Sequence, residues 1–209
     1  MDGMQDGNLI KDTVALRSRY GEPVGAALAK EVDHVHPHYR AMIEAAPFMV
    51  MATSGPDGLD VSPRGDPPGF VVVEDDKTLL IPDRRGNNRT DSLLNLIADP
   101  RIALLFLIPG VGETLRVNGT AEICVDPALL ERFPAQGKLP RSVIVVHVER
   151  VYFQCPKALV RSDLWNPAKH VDRRSLPSSG TILADITRGM VGGPEYDKAY
   201  PERLKATIY

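Results

Sequence analysis

The chain has 209 residues, of which 43% are hydrophobic and 25% charged, as in an ordinary globular protein. The 25 basic and 27 acidic residues leave a net charge of −2, which gives no electrostatic reason to expect binding to nucleic acid or to a membrane surface. The two cysteines form no CxxC pair, and no apolar run approaches the ~20 residues of a membrane span. The first residues, MDGMQDGNLIKD, lack the basic and apolar regions of a secretory signal, so we expect a cytoplasmic protein.

Residues 12–46 are predicted to be helical because apolar residues recur along them at roughly helical spacing. Three helices are expected, with Val24 and Leu28 in the second. Pro37 suits the first turn of the third helix, where its missing N–H has no partner to lose, and Pro47 should end that helix.

From Phe48 onwards, short apolar runs alternate with turn signals, which is the pattern of antiparallel strands. We predict six or so strands, in the segments FMVMATS, LDVSPRGD, GFVVVEDDKTLLIPD (a hairpin), RIALLFLIPG, ETLRVNGTAEICVD and RSVIVVHVERVYFQC. In ETLRVNGTAEICVD, apolar residues from Leu115 to Ile123 alternate with polar ones. Gly119 in the middle of this strand indicates a bulge or a close backbone approach.

Further helices are expected between and after the strands. RRGNNRTDSLLNLIADP carries an apolar helical stripe with Asn88 as its cap, and Asp126 caps a short helix in PALLERF. CPKALVRSDLW begins with a proline-led helical turn. Residues 166–194 are polar and weakly patterned, so we predict a loop or extended arm before a short helix at 196–209. The pattern indicates a mainly β (α+β) protein, a small antiparallel barrel with helical decoration.

Several common catalytic and cofactor motifs are missing. The sequence has no phosphate-binding P-loop, no G-x-G-x-x-G fingerprint, no G-x-S-x-G elbow and no H-E-x-x-H motif. His34, His36 and His38 could bind a metal from one face of a strand. However, His38 falls at the start of a helix and no nearby thiol completes the set, so we favour a solvated junction and predict no metal site. His147 lies in an apolar strand and is interpreted as a hydrogen-bonded core or barrel-wall histidine and not as a catalytic base, and the catalytic residues stay unassigned.

The sharpest feature is a set of arginines at the ends of strands. Arg64 ends the strand in VSPRGD, and PDRRGNNR adds Arg84, Arg85 and Arg89 where a strand gives way to a helix. A helix N-terminus offers unpaired N–H groups, and arginines add charge-assisted hydrogen bonds, so the pattern suits a phosphate. Asp91, in the first turn of that helix, would repel an anion and must point away. On spacing alone, a solvated loop rich in turn residues explains RRGNNR equally well.

Three more polar residues belong to this hypothesis. Asn87 and Asn88 supply further hydrogen-bond donors beside the arginines. Arg116 lies on the polar face of its strand, where by itself it would be a surface residue paired with a carboxylate such as Glu122. Together with the strand-end arginines, it suggests one polar pocket on the barrel.

The same residues carry a resemblance to a known family. The segment from Phe48 to Ile123, with its run SPRGD…IPDRRGNNR…LLFLIPG…LRVNG, resembles the pyridoxamine 5′-phosphate oxidase-like family of FMN-binding split-barrel proteins, and CPKALVRSDLW adds to the likeness. Within that family, the run resembles a subgroup other than the biosynthetic oxidase. The resemblance implies a split β-barrel at residues 47–165, between an N-terminal helical segment at 1–46 and a C-terminal arm and helix at 166–209, all in one domain. It also implies a homodimer with its flavin sites in the interface.

The resemblance further implies which residues contact the FMN. Arg64 and Arg89 match the basic residues that hold the phosphate, beside the donors Asn87 and Asn88. The ring system is expected along the backbone of Ile81, Pro82 and Asp83. The other contacts either come from the partner subunit or follow the last long strand, and they are Leu115, Arg116, Arg161, Ser162 and Trp165. For Trp165, a packed hinge between barrel and arm is an equal alternative.

Two departures from the family pattern limit the functional inference. The basic C-terminal signature that reads pyridoxal phosphate is missing, and GNNR replaces the usual serine-arginine-lysine run. The leading hypothesis is therefore an FMN-dependent oxidoreductase acting on an unidentified small molecule, with NAD(P)H as a candidate electron donor. The alternatives are a flavin carrier or sensor without turnover, and a haem- or deazaflavin-handling protein on the same barrel. Fold alone does not choose among them.

Overall fold

The computed structural model of the chain describes residues 8–23 and 25–209. Val24, which the sequence assigns to the second helix, lies outside these ranges. The chain divides into two compact units, Met1–Glu31 and Val32–Tyr209.

The first unit contains two helices, α1 (Thr13–Tyr20) and α2 (Ala26–Ala29). The side chain of Asp12 caps α1 by accepting a hydrogen bond from the backbone N–H of Ala15 at 2.8 Å. No described residue of either helix is buried, so the helical pattern of the sequence does not form a core here.

The second unit is built around one antiparallel sheet. Its strands are β1 (Phe48–Gly55), β2 (Gly58–Gly65), β3 (Val72–Val73), β4 (Thr78–Asp83), β5 (Arg101–Leu107), β6 (Thr114–Cys124) and β7 (Ser142–Gln154). They are hydrogen-bonded in the order β2-β1-β5-β6-β7-β4-β3. The edges β2 and β3 are not paired with each other, yet Arg64 on β2 lies 3.8 Å from Asp83 on β4, so the sheet curls until its two ends meet. The predicted mainly β (α+β) class and the split barrel are confirmed.

β6 shows most directly how the sequence determines the sheet. Leu115 and Val117 are buried while Arg116 between them is exposed, as the alternation predicts. The register of β6 with β7 shifts between Asn118 and Gly119, which is a bulge. A Cβ atom on Gly119 would lie 2.0 Å from the backbone oxygen of His147, so only glycine fits this crossing.

Two helices cover the sheet. α3 (Pro37–Ala45) has a proline in its first turn, as predicted, and it packs against β3, β6 and β7. α4 (Asp91–Ala98) packs against β1 and β2 and buries Leu96. Between the helices and the sheet lies one apolar core, in which Phe106 and Leu115 are among the largest fully buried side chains. α4 thereby fixes its own first turn beside the end of β2.

Shorter helices follow the later strands. They are α5 (Pro127–Leu130) and α6 (Lys157–Ser162), followed by 3₁₀ turns at Pro167–Lys169 and Arg173–Ser175. Asp126 caps α5, as predicted, by accepting a hydrogen bond from the N–H of Ala128 at 2.9 Å. No helix in the described part of the chain is long and apolar enough to cross a membrane.

The expectation of a loop or extended arm at residues 166–194 is wrong. This stretch contains α7 (Ser179–Ile186), which Ser178 caps by accepting a hydrogen bond from the N–H of Thr181 at 3.0 Å. α8 (Pro194–Thr207) follows it and packs against it. The glycines and prolines around α7 are typical of a loop, so the sequence pattern does not predict this short helix although Ser178 caps it.

Candidate functional site

A cavity of about 450 Å³ opens where the end of β2 meets the segment that joins β4 to α4. Its wall is rich in charge. It contains five arginines and three aspartates, namely Arg64, Arg84, Arg85, Arg89, Arg141, Asp60, Asp83 and Asp91. Five positive charges against three negative ones leave an excess of two, so the cavity favours an anion.

Arg64 enters this cavity from the end of β2. Its Nη1 donates to the backbone oxygen of Pro63 at 3.3 Å, and its Nη2 lies 3.8 Å from Oδ1 of Asp83. Its Nε is buried and has no hydrogen-bond partner among the described residues. Since a buried donor without a partner destabilises a protein by about 1–3 kcal/mol, this nitrogen points to a ligand that accepts its hydrogen bond.

A second ion pair lies just past the ends of the two strands, between Asp66, two residues after Arg64, and Arg84, one residue after Asp83. Nε of Arg84 donates to Oδ2 of Asp66 at 2.9 Å, and its Nη1 donates to the backbone oxygen of Phe133 at 2.7 Å. The hydroxyl of Tyr209 donates to the other carboxylate oxygen of Asp66. These bonds join the ends of β2 and β4 across the split of the barrel. They also occupy the Arg84 guanidinium, which leaves Arg84 less free than Arg64 to bind a ligand.

Asp83 stands between the sheet core and the cavity. Its side chain is only 18% exposed, and this burial raises the pKa of its carboxyl, while the positive charges of Arg64 and Arg141 partly oppose the rise. The carboxylate is the main charge that would repel an anion beside Arg64.

The segment between β4 and α4 does not begin the helix as the sequence predicts. Thr90, not Asn88, is the residue before the first turn of α4, and it has a left-handed backbone (φ 55°) and makes no capping hydrogen bond. Oδ1 of Asn88 instead accepts a hydrogen bond from Nη1 of Arg141 at 2.8 Å. Because no side chain caps α4, the N–H groups of its first turn keep the capacity to bind an anion.

The expectation that Asp91 points away is also wrong. Its side chain borders the cavity, and Nε of Arg89 donates to its Oδ2 at 2.7 Å. This hydrogen bond raises the pKa of Arg89, and the guanidinium is 74% exposed. Arg89 is therefore held by a carboxylate that any bound anion would have to displace or share.

Arg141 is a cavity residue that the sequence analysis missed. It lies in KLPRS, more than 50 positions from RRGNNR, and carries no motif of its own. The register of β4 with β7 pairs Asp83 with Ser142 and so places Arg141 beside Asn88. Only the pairing of β4 with β7 indicates that Arg141 lies at the cavity, and a single sequence does not reveal which strands pair.

The predicted site residues fall into two groups. Arg64, Asp83, Asn87, Asn88 and Arg89 line the cavity together. Ile81 and Pro82 are buried in β4 just before it. Within the described part of the chain, β3 pairs only with Leu79 and Leu80, so no strand flanks the next three residues of β4 on that side.

The other group lies elsewhere in the chain. Leu115 is fully buried in the core. In the sheet, Arg64 pairs with Met49, Met49 with Phe106, and Phe106 with Leu115. Residues that pair directly point to the same face of a sheet, so these four side chains share one face. Arg116 follows Leu115 in the strand and therefore points to the other face. The prediction of one pocket that contains both Arg64 and Arg116 of the same chain is therefore wrong.

The last three predicted residues do not line the cavity either. Arg161 and Ser162 are exposed at the end of α6, and Ser162 donates to the backbone oxygen of Leu159. Nε1 of Trp165 donates to the backbone oxygen of Val111 at 2.8 Å, which ties the segment after α6 to the turn between β5 and β6.

The histidine cluster has local partners. Nδ1 of His36 accepts a hydrogen bond from the N–H of His38 at 3.2 Å, and Nδ1 of His34 lies 3.0 Å from Oδ1 of Asp33. No group of three or more potential metal ligands occurs among the described residues. His147 is exposed on the barrel wall, with Nε2 3.2 Å from Glu122.

A family model for pyridoxamine 5′-phosphate oxidase matches residues 35–155, more than half of the chain. Among solved structures, HupZ of Group A Streptococcus is 25% identical, covers 56% of this chain and 90% of its own, and has a TM-score of 0.46. A protein from Clostridium acetobutylicum related to general stress protein 26 of B. subtilis (pyridoxinephosphate oxidase family) is 15% identical over 56% of this chain and 86% of its own, with a TM-score of 0.42. An FMN-binding protein from Syntrophomonas wolfei is 14% identical over 55% and 82%, with a TM-score of 0.43. The comparison with curated proteins found no match.

Proposed function

The chain belongs to the pyridoxamine 5′-phosphate oxidase family, and on this premise we propose that it binds FMN, with the flavin phosphate in the cavity between the end of β2 and the start of α4. The observation that carries the proposal is the buried Nε of Arg64, which has no partner among the described residues and belongs to a side chain that lines this cavity. A phosphate oxygen would satisfy it by a charge-assisted hydrogen bond.

Neighbouring groups suit the rest of the phosphate. Arg141 and Arg89 add positive charge, and Asn87 adds an amide at the cavity wall. The uncapped first turn of α4 adds backbone donors and the positive end of the helix dipole. Arg89 would exchange Asp91 for the phosphate, or would bridge the two.

The ring system would follow the backbone of β4 beyond its pairing with β3. Ile81, Pro82 and Asp83 form this stretch, and the buried side chains of Ile81 and Pro82 fix its backbone. When bound, the flavin would supply hydride or single-electron transfer, which the side chains of this chain do not. The protein residues would bind and orient it.

We further propose that the protein is a homodimer whose partner subunit completes each flavin site. Because Arg116 points to the opposite face of the sheet from Arg64, it could serve the same flavin only from a second copy. A surface for such a copy exists beside the cavity, where β2 and α4 expose large apolar side chains. These are Leu59, Val61, Leu94 and Ile97, with 86%, 64%, 58% and 76% of their surface exposed. Arg161, Ser162 and Trp165 would be further contacts, whereas Leu115 is fully buried in the core and has no exposed side chain to offer.

The dimer can be tested by mixing two variants. Arg64→Ala should lose FMN through the cavity and Arg116→Ala through the partner's side of the site. Mixed dimers would contain one intact site, so mixing the two variants should restore part of the FMN binding. No recovery after subunit exchange would contradict the shared site.

The function that the site supports best is an FMN-dependent oxidoreductase for a small molecule, and we propose that it works in the cytoplasm. The second candidate is a flavin carrier or sensor, favoured by the lack of an assigned catalytic residue. Oxidation of NAD(P)H by the FMN-loaded protein would distinguish them, since a carrier would show none above free FMN. A Soret band in the purified protein would instead indicate haem.

The phosphate assignment is tested by titrating FMN into variants. Arg64→Ala and Arg89→Ala should each weaken FMN binding, by at least about tenfold for Arg64, the equivalent of one charge-assisted hydrogen bond. Arg174→Ala is the matched control, since Arg174 is 90% exposed and lies outside the cavity. Equal FMN affinity in all three variants and the unmodified protein would refute the assignment.

A further inference from the structure

Three polar residues at the wall of the cavity, Asp60, Ser92 and Ser62, form a hydrogen-bond relay. Oγ of Ser92 donates to Oδ2 of Asp60 at 2.8 Å, and Oγ of Ser62 lies 3.0 Å from Oγ of Ser92. All three residues line the cavity, as Arg64 does. Asp60, Ser62 and Arg64 alternate along β2 and therefore share one face of the sheet. The relay thus joins β2 to the first turn of α4, next to Arg64.

The number of protons gives this relay one direction. A carboxylate only accepts hydrogen bonds, and a serine hydroxyl has one proton to donate. Because Ser92 gives its proton to Asp60, the bond between the two hydroxyls must be donated by Ser62. Ser62 then has no proton left, so its oxygen offers only lone pairs to a ligand in the cavity.

The fold holds this direction in place. Ser92 is the second residue of α4, which packs against β1 and β2, and it is only 4% exposed. Turning its hydroxyl away from Asp60 would leave buried polar atoms without partners, which is unfavourable. The Ser62 oxygen is therefore a fixed acceptor.

Arg64 and Ser62 make opposite demands on a ligand. The buried Nε of Arg64 has no partner among the described residues and needs an acceptor, whereas Ser62 needs a donor. The two residues are two positions apart on one strand, which places them about 7 Å apart along it. A ligand that satisfies both carries an anionic group and, a few bonds away, a hydroxyl group. A phosphate ester with a bare alkyl chain satisfies only Arg64.

We propose that Ser62 is a specificity-determining residue, which selects phosphate esters with a hydroxylated carbon chain by accepting a hydrogen bond from one of the hydroxyl groups. Asp60 and Ser92 are positioning residues, because they act only through the direction of the Ser62 hydroxyl. The ribityl phosphate of FMN has this chemistry. As a property of a flavin site the inference rests on the proposed function, whereas selection of a hydroxylated phosphate ester does not.

The test compares two phosphate esters with five-carbon chains, ribitol 5-phosphate and pentyl phosphate, by calorimetric titration of the full chain freed of flavin. Ribitol 5-phosphate should bind at least about fivefold more tightly, the equivalent of one hydrogen bond. Ser62→Ala should abolish this preference and bind pentyl phosphate as before. Ser92→Ala should also lower it, because Ser62 then keeps a proton that it can donate to the phosphate.

Ser175→Ala is the matched control. Ser175 is exposed and lies outside the cavity, and its hydroxyl donates to the backbone oxygen of Asp172 at 2.8 Å. This variant should keep the full preference for ribitol 5-phosphate. If the relay only tied β2 to α4, Ser62→Ala would unfold at lower urea concentration but would keep the preference, and that result would refute selection by Ser62.

Failure of this proposal is distinguishable from failure of the FMN proposal. If the unmodified protein binds FMN but binds the two esters equally, selection by Ser62 is refuted and FMN binding stands. If Ser62→Ala loses the preference for ribitol 5-phosphate and the unmodified protein does not bind FMN, selection stands and the flavin is refuted.

Discussion

Asp66→Ala should destabilise the protein because Asp66 holds together the two strand ends that frame the cavity. The Asp66 side chain is only 4% exposed and accepts hydrogen bonds from Arg84 and Tyr209. Removing the carboxylate leaves the Arg84 guanidinium, itself 20% exposed, without its counter-charge. Breaking a buried pair from one side costs about 3–5 kcal/mol. Because Arg84 keeps its bond to Phe133, we expect the lower end, about 3 kcal/mol.

The assay is urea unfolding at neutral pH, with the free energy of unfolding compared at equal m-values. Glu22→Ala is the control, since it removes a carboxylate that is 71% exposed from its ion pair with Arg17, and it should change nothing measurable. The double-mutant cycle of Asp66→Ala with Arg84→Ala isolates the pair. A loss below about 1 kcal/mol in Asp66→Ala would mean that the pair behaves as a surface pair and does not fasten the split.

Three further predictions concern single positions. Gly119→Ala should lower the free energy of unfolding by about 3 kcal/mol because its Cβ would overlap a backbone oxygen, whereas Gly86→Ala, with open space around it, should unfold like the unmodified protein in urea. Asp91→Asn should tighten FMN binding about two- to fivefold by releasing Arg89, and weaker binding would contradict a phosphate role for that arginine. Burial raises the pKa of Asp83 above 3.8, so ionising this carboxyl is less favourable in the folded protein than in the unfolded chain. The free energy of unfolding therefore falls as the pH rises from 3.8 through the raised pKa. The stability of Asp83→Asn relative to the unmodified protein should therefore increase with pH from 4 upward, and a decrease would refute the sign.

The strands were largely predictable because their signals are local. The alternation from Leu115 to Ile123 and the glycine at 119 lie within one strand, and both its faces and its bulge are where the sequence places them. Apolar and polar positions in a strand with one buried face leave only one register that buries the apolar set. α7 was equally local, with Ser178 as its cap, and was missed because glycines and prolines flank it.

The site was only half predictable because it depends on contacts between distant segments. Arg64 and Arg89 were found from their positions at element ends. Their ion-pair partners, Asp83 and Asp91, could not be predicted in the same way. Asp91 accepts a hydrogen bond from Arg89, and Thr90 between them has a left-handed backbone that a threonine rarely adopts, so neither feature could be predicted from the sequence. Arg141 reaches the cavity only through the pairing of β4 with β7.

The central claim, that Arg64 binds the flavin phosphate, is tested most directly by comparing FMN with riboflavin, which lacks the phosphate. Titration of each into the unmodified protein, followed by flavin fluorescence, should give at least about a hundredfold preference for FMN, the equivalent of about two charge-assisted hydrogen bonds. In Arg64→Ala this preference should fall at least about tenfold while riboflavin binding stays the same. Equal affinity for the two flavins in the unmodified protein, or an unchanged preference in Arg64→Ala, would contradict the claim.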